Sequence, residues 1–403
     1  METARVLIVH YLSRSNRCGL AIARALKMAD NYKIHIVAQS IGLLDAVTRR
    51  LKSKSVDKIH FVKSSCQNAS LTEELLGIIT THNIDLIIPA GHGEALMLSK
   101  AKVRLSEFCK VLVEDYEKMI RFLDKGMTVL MATELGIPVP LTVFPKDVKE
   151  IRSYAATASY PVVVKARQGT GATGVRYARN AEELVGFFAE LSEKSGSPDD
   201  LIYDRSSPIL QEYIPGELHD VTAFCVNGEM KLGLTQERVV TRPLSGGPGI
   251  VNLTTRTDEL LEFSRTIVCE TQWTGVLLLD FKIDERDGKP RLLEVNPRFW
   301  GTTWLTVRAG YNYPHYLVLH AMGQHIDLPK NYEVGLMARW PLKELLTIFD
   351  RPMNFRSVLQ RTKEFVLRFR HPNCVYDILP SDINPLFADI ADKVFLLLEG
   401  RRS

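Results

Sequence analysis

Hydrophobic residues in the first third of the chain fall into short apolar runs that alternate with amphipathic stretches. The runs are rich in β-branched residues and predict strands, and the stretches have the three-to-four spacing of a helix. This alternation is typical of a parallel sheet with covering helices, so residues 1–115 are predicted to form a doubly wound α/β domain. The predicted strands are Arg5 to Val9, Lys33 to Val37, Ile59 to Val62 and Ile84 to Ile88, and the predicted helices are Leu20 to Met28, Leu43 to Leu51 and Leu71 to Thr80.

The pattern changes after this domain. Residues 116–136 have apolar positions at helical spacing and predict a single helix that ends at the Gly-Ile-Pro segment starting at Gly136. Strands and helices then mix up to about Leu210, and residues 211–310 are mostly strands with one helix near Glu259 to Glu270. This order fits two small α+β lobes. Further helices are predicted at Leu342 to Phe349, Phe355 to Phe369 and Leu386 to Leu398.

Four segments are therefore predicted along the chain. The first is the doubly wound domain, and the second joins a helical linker to the first lobe. The third is the second lobe, and the fourth is a mixed, largely helical extension. The predicted boundaries are residues 1–115, 116–210, 211–335 and 336–403.

Composition excludes several classes of protein. With 403 residues and 45% hydrophobic content, the chain can bury two or three cores. Its 51 lysines and arginines against 47 acidic residues are spread without a long basic run, so nucleic acid is not an expected partner. No stretch approaches the roughly 18 to 20 apolar residues that cross a bilayer, and no leader pattern opens the chain. A cytoplasmic protein without a transmembrane segment is expected, and the 6 scattered cysteines are expected to be free thiols.

The turns of the first domain do not predict a dinucleotide site. No GxGxxG follows the first strand, so the backbone there has no glycine-lined approach to a pyrophosphate. Pro89 to Glu94 instead follows the strand at Ile84 to Ile88, at the strand end where open sheets bind ligands. This turn is a candidate substrate contact, although its glycines also fit plain turn chemistry.

Two stretches in the first lobe have the residues of a nucleotide site. A buried strand ends at Lys165 and is followed by a glycine-rich turn, Gly169 to Gly174, whose amides can approach phosphate oxygens. The turn is no P-loop, because no Gly-Lys-Ser/Thr leads it into a helix, and a simple hairpin turn explains it equally well. The extended segment Gln211 to Val221 exposes backbone groups that can pair with an adenine edge, but this pattern is ambiguous by itself.

A hairpin in the second lobe carries the most informative residues. Two apolar runs flank a polar turn from Glu285 to Pro290, and strand alternation places Glu294, Asn296 and Arg298 on one face, opposite Asp280. Two carboxylates and an amide oxygen form a hard oxygen site of the kind that Mg²⁺ accepts when substrate phosphates complete its octahedron. The arginine beside them can hold a phosphoryl group.

Together these stretches resemble the ATP-grasp superfamily over roughly Asp124 to Gly310, and the run from Glu294 to Arg298 is the most specific mark. The resemblance implies an N-terminal doubly wound domain followed by a two-lobed ATP-grasp domain. It also implies ATP and Mg²⁺ as cofactors, with Mn²⁺ as an allowed substitute. The chain departs from the family pattern at Ala166, where proline is common, at Ala172-Thr173, where a Gly-Ser pair is common, and at Asp280, where glutamate is common.

The resemblance also implies roles for individual residues. The metal ligands are Asp280, Glu294 and Asn296, and Arg298 steadies the transferred phosphate. The nucleotide residues are Lys125 and Lys165 at the phosphates, Gly169, Thr170 and Gly171 in the loop over them, Glu212, Tyr213 and Ile214 at the adenine through backbone groups, and Glu217 at the ribose.

A strand and glycine-rich loop between Gln236 and Ile250 are candidates for the acceptor side. The family keeps acceptor contacts near this region, so Arg242 and the amides of Gly246 and Gly247 are candidates for holding a carboxylate, although a plain loop fits the composition as well.

Members similar to this chain are short carbamoyl-phosphate-synthase-like enzymes and carboxylate-amine ligases. The function predicted is therefore activation of a small carboxylate as an acyl phosphate, followed by its capture by an amine. Small carboxylates and amines are the expected partners, and self-association is common in the family. The alternative is a kinase that phosphorylates an amide, carbamate or alcohol and stops there. A binding protein without turnover is disfavoured, because all six lysine, metal-ligand and arginine positions are intact.

Overall fold

Two units make up the chain, and each is built from segments that are separate in the sequence. The structure is a computed structural model. The first unit comprises Met1–Asp115, Arg298–Lys343 and Phe369–Ser403, and the second comprises Tyr116–Pro297 and Glu344–Arg368. The residues described are 3–10, 18–29, 31–40, 42, 44–64, 70–169, 174–193, 207–244, 246–350, 353–388 and 390–391.

A five-stranded parallel sheet forms the centre of the first unit, in the order β3-β2-β1-β4-β5. The central strand is apolar on both faces, and Val6, Leu7, Ile8 and Val9 are fully buried, as a parallel sheet covered by helices requires. The predicted doubly wound domain is confirmed. Its strands are β1 (Ala4–Val9), β2 (Tyr32–Gln39), β3 (Lys58–Val62), β4 (Leu86–Pro89) and β5 (Lys110–Val111), and its helices are α1 (Cys18–Lys27), α2 (Leu44–Arg50), α3 (Ser70–His82), α4 (His92–Lys100) and α5 (Lys102–Leu105).

The turn after β4 is a helix start. Gly91 is the extended N-cap of α4, and Glu94 lies buried in the first turn of the helix. A Cβ on Gly91 would stand 2.4 Å from Glu94 Oε2, so glycine is what allows the carboxylate to lie against the backbone. Packing against Glu94 is therefore sufficient to explain a glycine at position 91.

The single helix predicted over residues 116–136 is wrong, because Asp124 divides it. Helix α6 (Tyr116–Leu123) ends before Asp124, and α7 (Lys125–Glu134) begins after it. Asp124 has extended backbone, and its carboxylate accepts hydrogen bonds from the amides of Gly126 at 2.8 Å and Met127 at 3.2 Å. An aspartate that caps free amides in this way stabilises a new helix start. Lys125 is thereby placed at the N-terminus of α7.

A four-stranded antiparallel sheet, in the order β6-β9-β7-β8, forms the first lobe of the second unit. Two helices pack on it, and Val162, Val164, Leu184, Phe188 and Leu210 lie in their common core. The elements are β6 (Thr142–Val143), α8 (Val148–Thr157), β7 (Val162–Lys165), β8 (Val175–Ala178), α9 (Ala181–Glu193) and β9 (Ile209–Glu212).

Long antiparallel strands form the second lobe in the order β14-β13-β10-β11-β12. The predicted hairpin corresponds to β13 and β14, with Asp280 directly opposite Glu294. The elements are β10 (Gly216–Val226), β11 (Glu229–Thr241), β12 (Gly249–Thr255), α10 (Asp258–Thr271), β13 (Gly275–Asp284) and β14 (Pro290–Asn296).

The remaining elements are divided between the two units. They are α11 (Thr303–Arg308), α12 (Tyr313–Ala321), β15 (Met337–Arg339), α13 (Pro341–Thr347), α14 (Phe355–Leu367), a 3-10 turn at Arg368–Arg370 and β16 (Cys374–Tyr376). Of the helix predicted from Leu386 to Leu398, residues 386–388 and 390–391 are helical and the others lie outside the described residues. None of the helices in the described ranges is long and apolar enough to span a membrane.

A buried ion pair connects the C-terminal segment to the start of the first unit. Arg24 on α1 contacts Asp382 at 3.1 Å, and both side chains are 7% exposed. The same carboxylate accepts from the Ser53 hydroxyl at 2.6 Å and from the Lys54 amide at 3.0 Å. Burial alone would raise the pKa of Asp382, but these donors and Arg24 outweigh it and lower that pKa.

Replacing Asp382 by alanine is expected to lower the free energy of unfolding of the first unit by about 3–5 kcal/mol, because the buried guanidinium of Arg24 would lose the Asp382 carboxylate. Urea unfolding measures the change, and Asp327→Ala is the control, since the side chain of Asp327 is 98% exposed. The folded-state pKa of Asp382 is depressed, so its contribution is complete above the ordinary aspartate pKa of about 3.9 and is lost as pH falls through the lower folded value. Equal stability of Asp382→Ala and Asp327→Ala near neutral pH would contradict this assignment.

Candidate active site

A row of polar side chains crosses the large sheet on one face. Asp280 in β13 is the register partner of both Asp220 in β10 and Glu294 in β14, and Asp220 is the partner of Gln236 in β11. Residues directly opposite each other in antiparallel strands project from the same face, with Cβ atoms about 4.5–5.5 Å apart. Four strands thus hold three carboxylates and an amide in one line.

Arg238 contacts two carboxylates of this row. Its Nη2 lies 2.6 Å from Asp220 Oδ1 and 2.6 Å from Asp280 Oδ2, and its Nε donates to Asp220 Oδ2 at 3.0 Å. Gln236 Nε2 also donates to Asp220 Oδ2, at 2.8 Å. Asp220 and Arg238 are not among the site residues predicted from the sequence. The alternation of Gln236 and Arg238, two polar residues on one face of a largely buried strand, was the available signal.

The pKa values of the two carboxylates in the β13–β14 hairpin are shifted in opposite directions. Burial, followed by the neighbouring Asp220 and Glu294, raises the pKa of Asp280 well above its usual value despite Arg238. Burial also acts to raise the pKa of Glu294, but Lys125, a hydrogen bond from Asn296 and Lys165 together hold that pKa below its usual range. Glu294 is therefore the more firmly ionised of the two.

These residues fit a hard divalent cation. Asp280 Oδ1 is buried and has no hydrogen-bond partner among the described residues. Asn296 Nδ2 donates to Glu294 Oε1 at 3.2 Å, which brings the predicted hairpin ligands together. Carboxylate and amide oxygens with no histidine or thiolate suit Mg²⁺. The described residues contain no cluster of three or more His, Cys, Asp or Glu that could hold a metal, so the candidate site consists of two carboxylates and one amide.

Two lysines border the carboxylates. Lys125 Nζ lies 3.2 Å from Glu294 Oε2 and donates to the Gly169 carbonyl at 2.9 Å. Lys165 ends β7, and burial lowers its pKa to about 8, an effect that Lys125 reinforces and Glu294 opposes. Of the predicted phosphate loop, Gly169 is described, and Thr170 and Gly171 lie outside the described residues.

The segment predicted at the adenine follows β9. Glu212 pairs with Arg286 at 2.7 Å, so its side chain is engaged. Lys282 Nζ donates to the Ile214 carbonyl at 2.6 Å and lies 4.9 Å from the centre of the Tyr213 ring. One of the backbone acceptors expected for adenine is thus already bonded to a lysine.

Glu217 lies apart from the carboxylate row. Its side chain is 73% exposed and stands 3.7 Å from His219 Nε2. By strand alternation it projects from the face of β10 opposite to Asp220, toward Glu237, whose pKa is raised by burial and by Glu217. The ribose role implied for Glu217 stays a prediction.

The two predicted arginines have other contacts. Arg242 pairs with Asp350, Nε to Oδ2 at 3.3 Å, and is about half exposed. Arg298 belongs to the first unit, and its Nη1 donates to the Phe299 carbonyl at 2.9 Å. Arg238 takes the central position in the carboxylate row.

A cavity of about 520 Å³ opens in the second unit. One wall carries Arg238, Tyr213 and Lys282, and another is formed by α13 and α14. Arg368, the C-cap residue of α14, pairs with Glu344 and with Glu364, each at 3.0 Å, so these charges on the helical wall offset one another. The cavity extends from Tyr213, which is predicted at the adenine, to Gly246, in the loop predicted on the acceptor side.

One protein family matches part of the chain. It is described as "ATP-grasp in the biosynthetic pathway with Ter operon" and matches residues 205–340, which include the large sheet and its polar row.

Curated relatives align over about half of the chain. Formate-dependent phosphoribosylglycinamide formyltransferase of Wolinella succinogenes is 27% identical over 203 residues, covering 50% of this chain and 49% of that protein. D-aspartate ligase of Enterococcus faecium is 23% identical, covering 56% of each protein. The carbamoyl phosphate synthase large chain of Thermoanaerobacter pseudethanolicus is 23% identical, covering 59% of this chain and 24% of that one. The chain thus spans about half the length of the first two relatives and about a quarter of the third.

Solved structures establish the fold. The biotin carboxylase domain of Hydrogenobacter thermophilus 2-oxoglutarate carboxylase, solved with MgADP, ADP and bicarbonate, has a TM-score of 0.66 at 17% identity, covering 84% of this chain and 74% of that one. N5-carboxyaminoimidazole synthetase of Staphylococcus aureus has a TM-score of 0.59 at 17% identity, covering 83% and 81%. The matched family model, the relatives and the fold show that this chain resembles ATP-grasp enzymes, including the carbamoyl-phosphate-synthase-like and carboxylate-amine ligase members of the superfamily.

Proposed function

We propose that the chain is a carboxylate-amine ligase that uses ATP to activate a small acid as an acyl phosphate and joins the acid to an amine. The observation that carries the proposal is the contact of Lys125 with Glu294 beside Asp280 and Asn296. It joins a phosphate-binding cation to a hard oxygen site, and phosphoryl transfer needs both. The relatives named as ligases and synthases support the same chemistry.

The residues divide into three groups by role. Asp280, Glu294 and Asn296 would hold Mg²⁺, or Mn²⁺ in its place, and the bound ion would neutralise charge on the ATP phosphates. Lys125 and Lys165 would bind phosphate oxygens from the side of the small sheet. Arg238 would hold the reacting carboxylate or the transferred phosphoryl group from the side of the large sheet.

Two bond exchanges make up the reaction. A carboxylate oxygen attacks the γ-phosphorus while the bond from that phosphorus to the ADP oxygen breaks. The amine nitrogen then attacks the acyl carbon, inorganic phosphate leaves, and the nitrogen loses a proton. The contribution of the chain is to hold the partners in line and to neutralise negative charge with Lys125, Lys165 and Arg238. No residue needs to become covalently bonded.

The remaining predicted residues have supporting places. Tyr213 and Lys282 would lie beside the adenine, and Gly169, Thr170 and Gly171 would lie at the phosphates, as the resemblance implies. Arg298 would steady the transferred phosphate, as the resemblance implies. Arg242 is proposed to reach an acceptor only after it leaves Asp350.

ADP release that requires both a carboxylate and an amine is the expected activity. A coupled assay with ATP and Mg²⁺ would test formate, bicarbonate, D-aspartate and other amino acids, each with and without ammonia or a primary amine. Glu294→Gln is expected to lower turnover by about 100-fold or more, because it removes a charge that the metal and Lys125 both require. Glu262→Gln, an equivalent charge change at an exposed position of α10, is the control. Release with a single acceptor and no amine would indicate a kinase instead, and nucleotide binding without any release would indicate a binding protein.

Nucleotide affinity is expected to depend on pH through Lys165. Its pKa of about 8 means that the side chain is mainly a cation at lower pH and loses its proton as pH rises through that value. Affinity for ADP, measured by calorimetry in EDTA, should therefore fall above about pH 8, by up to about tenfold per pH unit. Lys165→Met should bind more weakly below pH 8 and lack this step. An identical pH profile in wild type and Lys165→Met would show that Lys165 does not contact the nucleotide.

A further inference from the structure

Asn252 is a buried amide without a partner in the described parts of the chain. The residue lies in β12 and is 0% exposed, and neither Oδ1 nor Nδ2 has a hydrogen-bond partner among the described residues. An unpaired buried amide destabilises a fold, and native structures contain few of them. Such a group is expected where a ligand or a trapped water supplies the missing bonds.

The position of Asn252 connects it to the carboxylate row. Asn252 is the register partner of Arg238, so the two side chains project from the same face of the sheet. Arg238 in turn contacts Asp220 and Asp280. The amide therefore extends the polar face by one strand, on the side of Arg238 away from the candidate metal ligands.

The glycine-rich loop before β12 covers this pair. Arg238 Nη1 donates to the Gly247 carbonyl at 3.1 Å. A Cβ on Gly249 would lie only 2.0 Å from Asn252 Oδ1, so the amide is packed directly against the bare glycine backbone. Gly246, with a φ of 124°, has a backbone conformation that other residues rarely adopt.

We propose that Arg238 and Asn252 together bind the carboxylate of the acid substrate, and that the Gly247 carbonyl occupies the place of one of its oxygens in the present structure. The proposal rests on the ligase function and specifies its acid-binding residues. Arg238 Nη1 would donate to one carboxylate oxygen and Asn252 Nδ2 to the other. Binding exchanges a carbonyl for a charged acceptor on Arg238 and gives the buried amide its missing bond.

The arrangement also explains why the sequence points to Arg242. The loop from Arg242 to Gly249 does lie at this site, since Gly246 lines the cavity and Gly247 contacts Arg238. Arg238, inside the sheet, is held in place by two carboxylates, whereas Arg242, at the start of the loop, pairs only with Asp350 among the contacts described. Asp220 accepts hydrogen bonds from Nε and Nη2 of Arg238, so Nη1 is left to contact the loop.

Two variants test the proposal. Asn252→Leu removes both amide atoms at similar volume, and Asn252→Asp keeps the shape but replaces the donor with an anionic oxygen beside Arg238. Thr271→Val, which also removes a buried polar atom but in α10, is the matched control. The probes are formate, bicarbonate and D-aspartate, each added to the full-length protein with MgADP, and the measurement is the shift in thermal midpoint as the probe is titrated.

At least one carboxylate is expected to stabilise the wild type and Thr271→Val, and both Asn252 variants are expected to bind it about 10- to 100-fold more weakly, the range for a lost hydrogen bond to a charged group. Affinity for MgADP should stay within about twofold of wild type. Without ligand, Asn252→Leu should melt no lower than wild type, because it removes unpaired polar atoms from the interior.

Unchanged carboxylate affinity in both Asn252 variants would overturn the proposal and indicate that a buried water satisfies the amide. Absence of stabilisation of the wild type by every carboxylate would overturn it as well. A failure of the ligase function has a different signature, namely carboxylate binding that depends on Asn252 without ADP release in the presence of any amine.

Discussion

Charge compensation inside the large sheet is the constraint on which the site depends. Asp220, Asp280 and Glu294 lie side by side on one face, and a buried carboxylate without a counter-charge is strongly destabilising. Arg238 lies against the first two and Lys125 against the third. Because these cations come from different elements, the positions of β11 and α7 are tied to the same row of acids. A fold that misplaced either element would leave a charge unpaired.

The site has two kinds of component, namely the sheet that carries the carboxylate row and the glycine-rich segments that contact its cations. Side chains on long antiparallel strands have positions fixed by register, so the distances between Asp220, Asp280 and Glu294 are properties of the sheet. The carbonyls of Gly169 and Gly247, in the two glycine-rich segments, accept hydrogen bonds from Lys125 and Arg238. In the proposed function, a phosphate or carboxylate oxygen would replace each of these carbonyls without a change in the sheet.

The sequence was informative where neighbours in space are also neighbours in the chain. The β13–β14 hairpin, its metal-ligand candidates and the doubly wound first unit follow from local alternation and turn chemistry. Asp220 and Arg238 were missed, because their contacts come from strand pairing between β10, β11 and β13, which the alternation of Gln236 and Arg238 within one strand does not specify. The break at Asp124 was missed because the apolar spacing continues through it, while its capping carboxylate decides the backbone. Arg242 attracted attention as the arginine nearest the loop glycines, and the structure pairs it with Asp350.

Residues 344–368 show why chain order is a poor guide to the organisation of this protein. They follow a segment of the first unit in sequence, yet they belong to the second unit, and α14 forms a wall of the cavity that contains Arg238. The next segment returns to the first unit, where Asp382 is bound by Arg24 and Ser53. The C-terminal region is therefore part of both units. A substitution on the inner side of α14 changes the wall of the cavity that Arg238 lines, whereas one around Asp382 changes the stability of the first unit, although both lie in what the sequence alone presents as one extension.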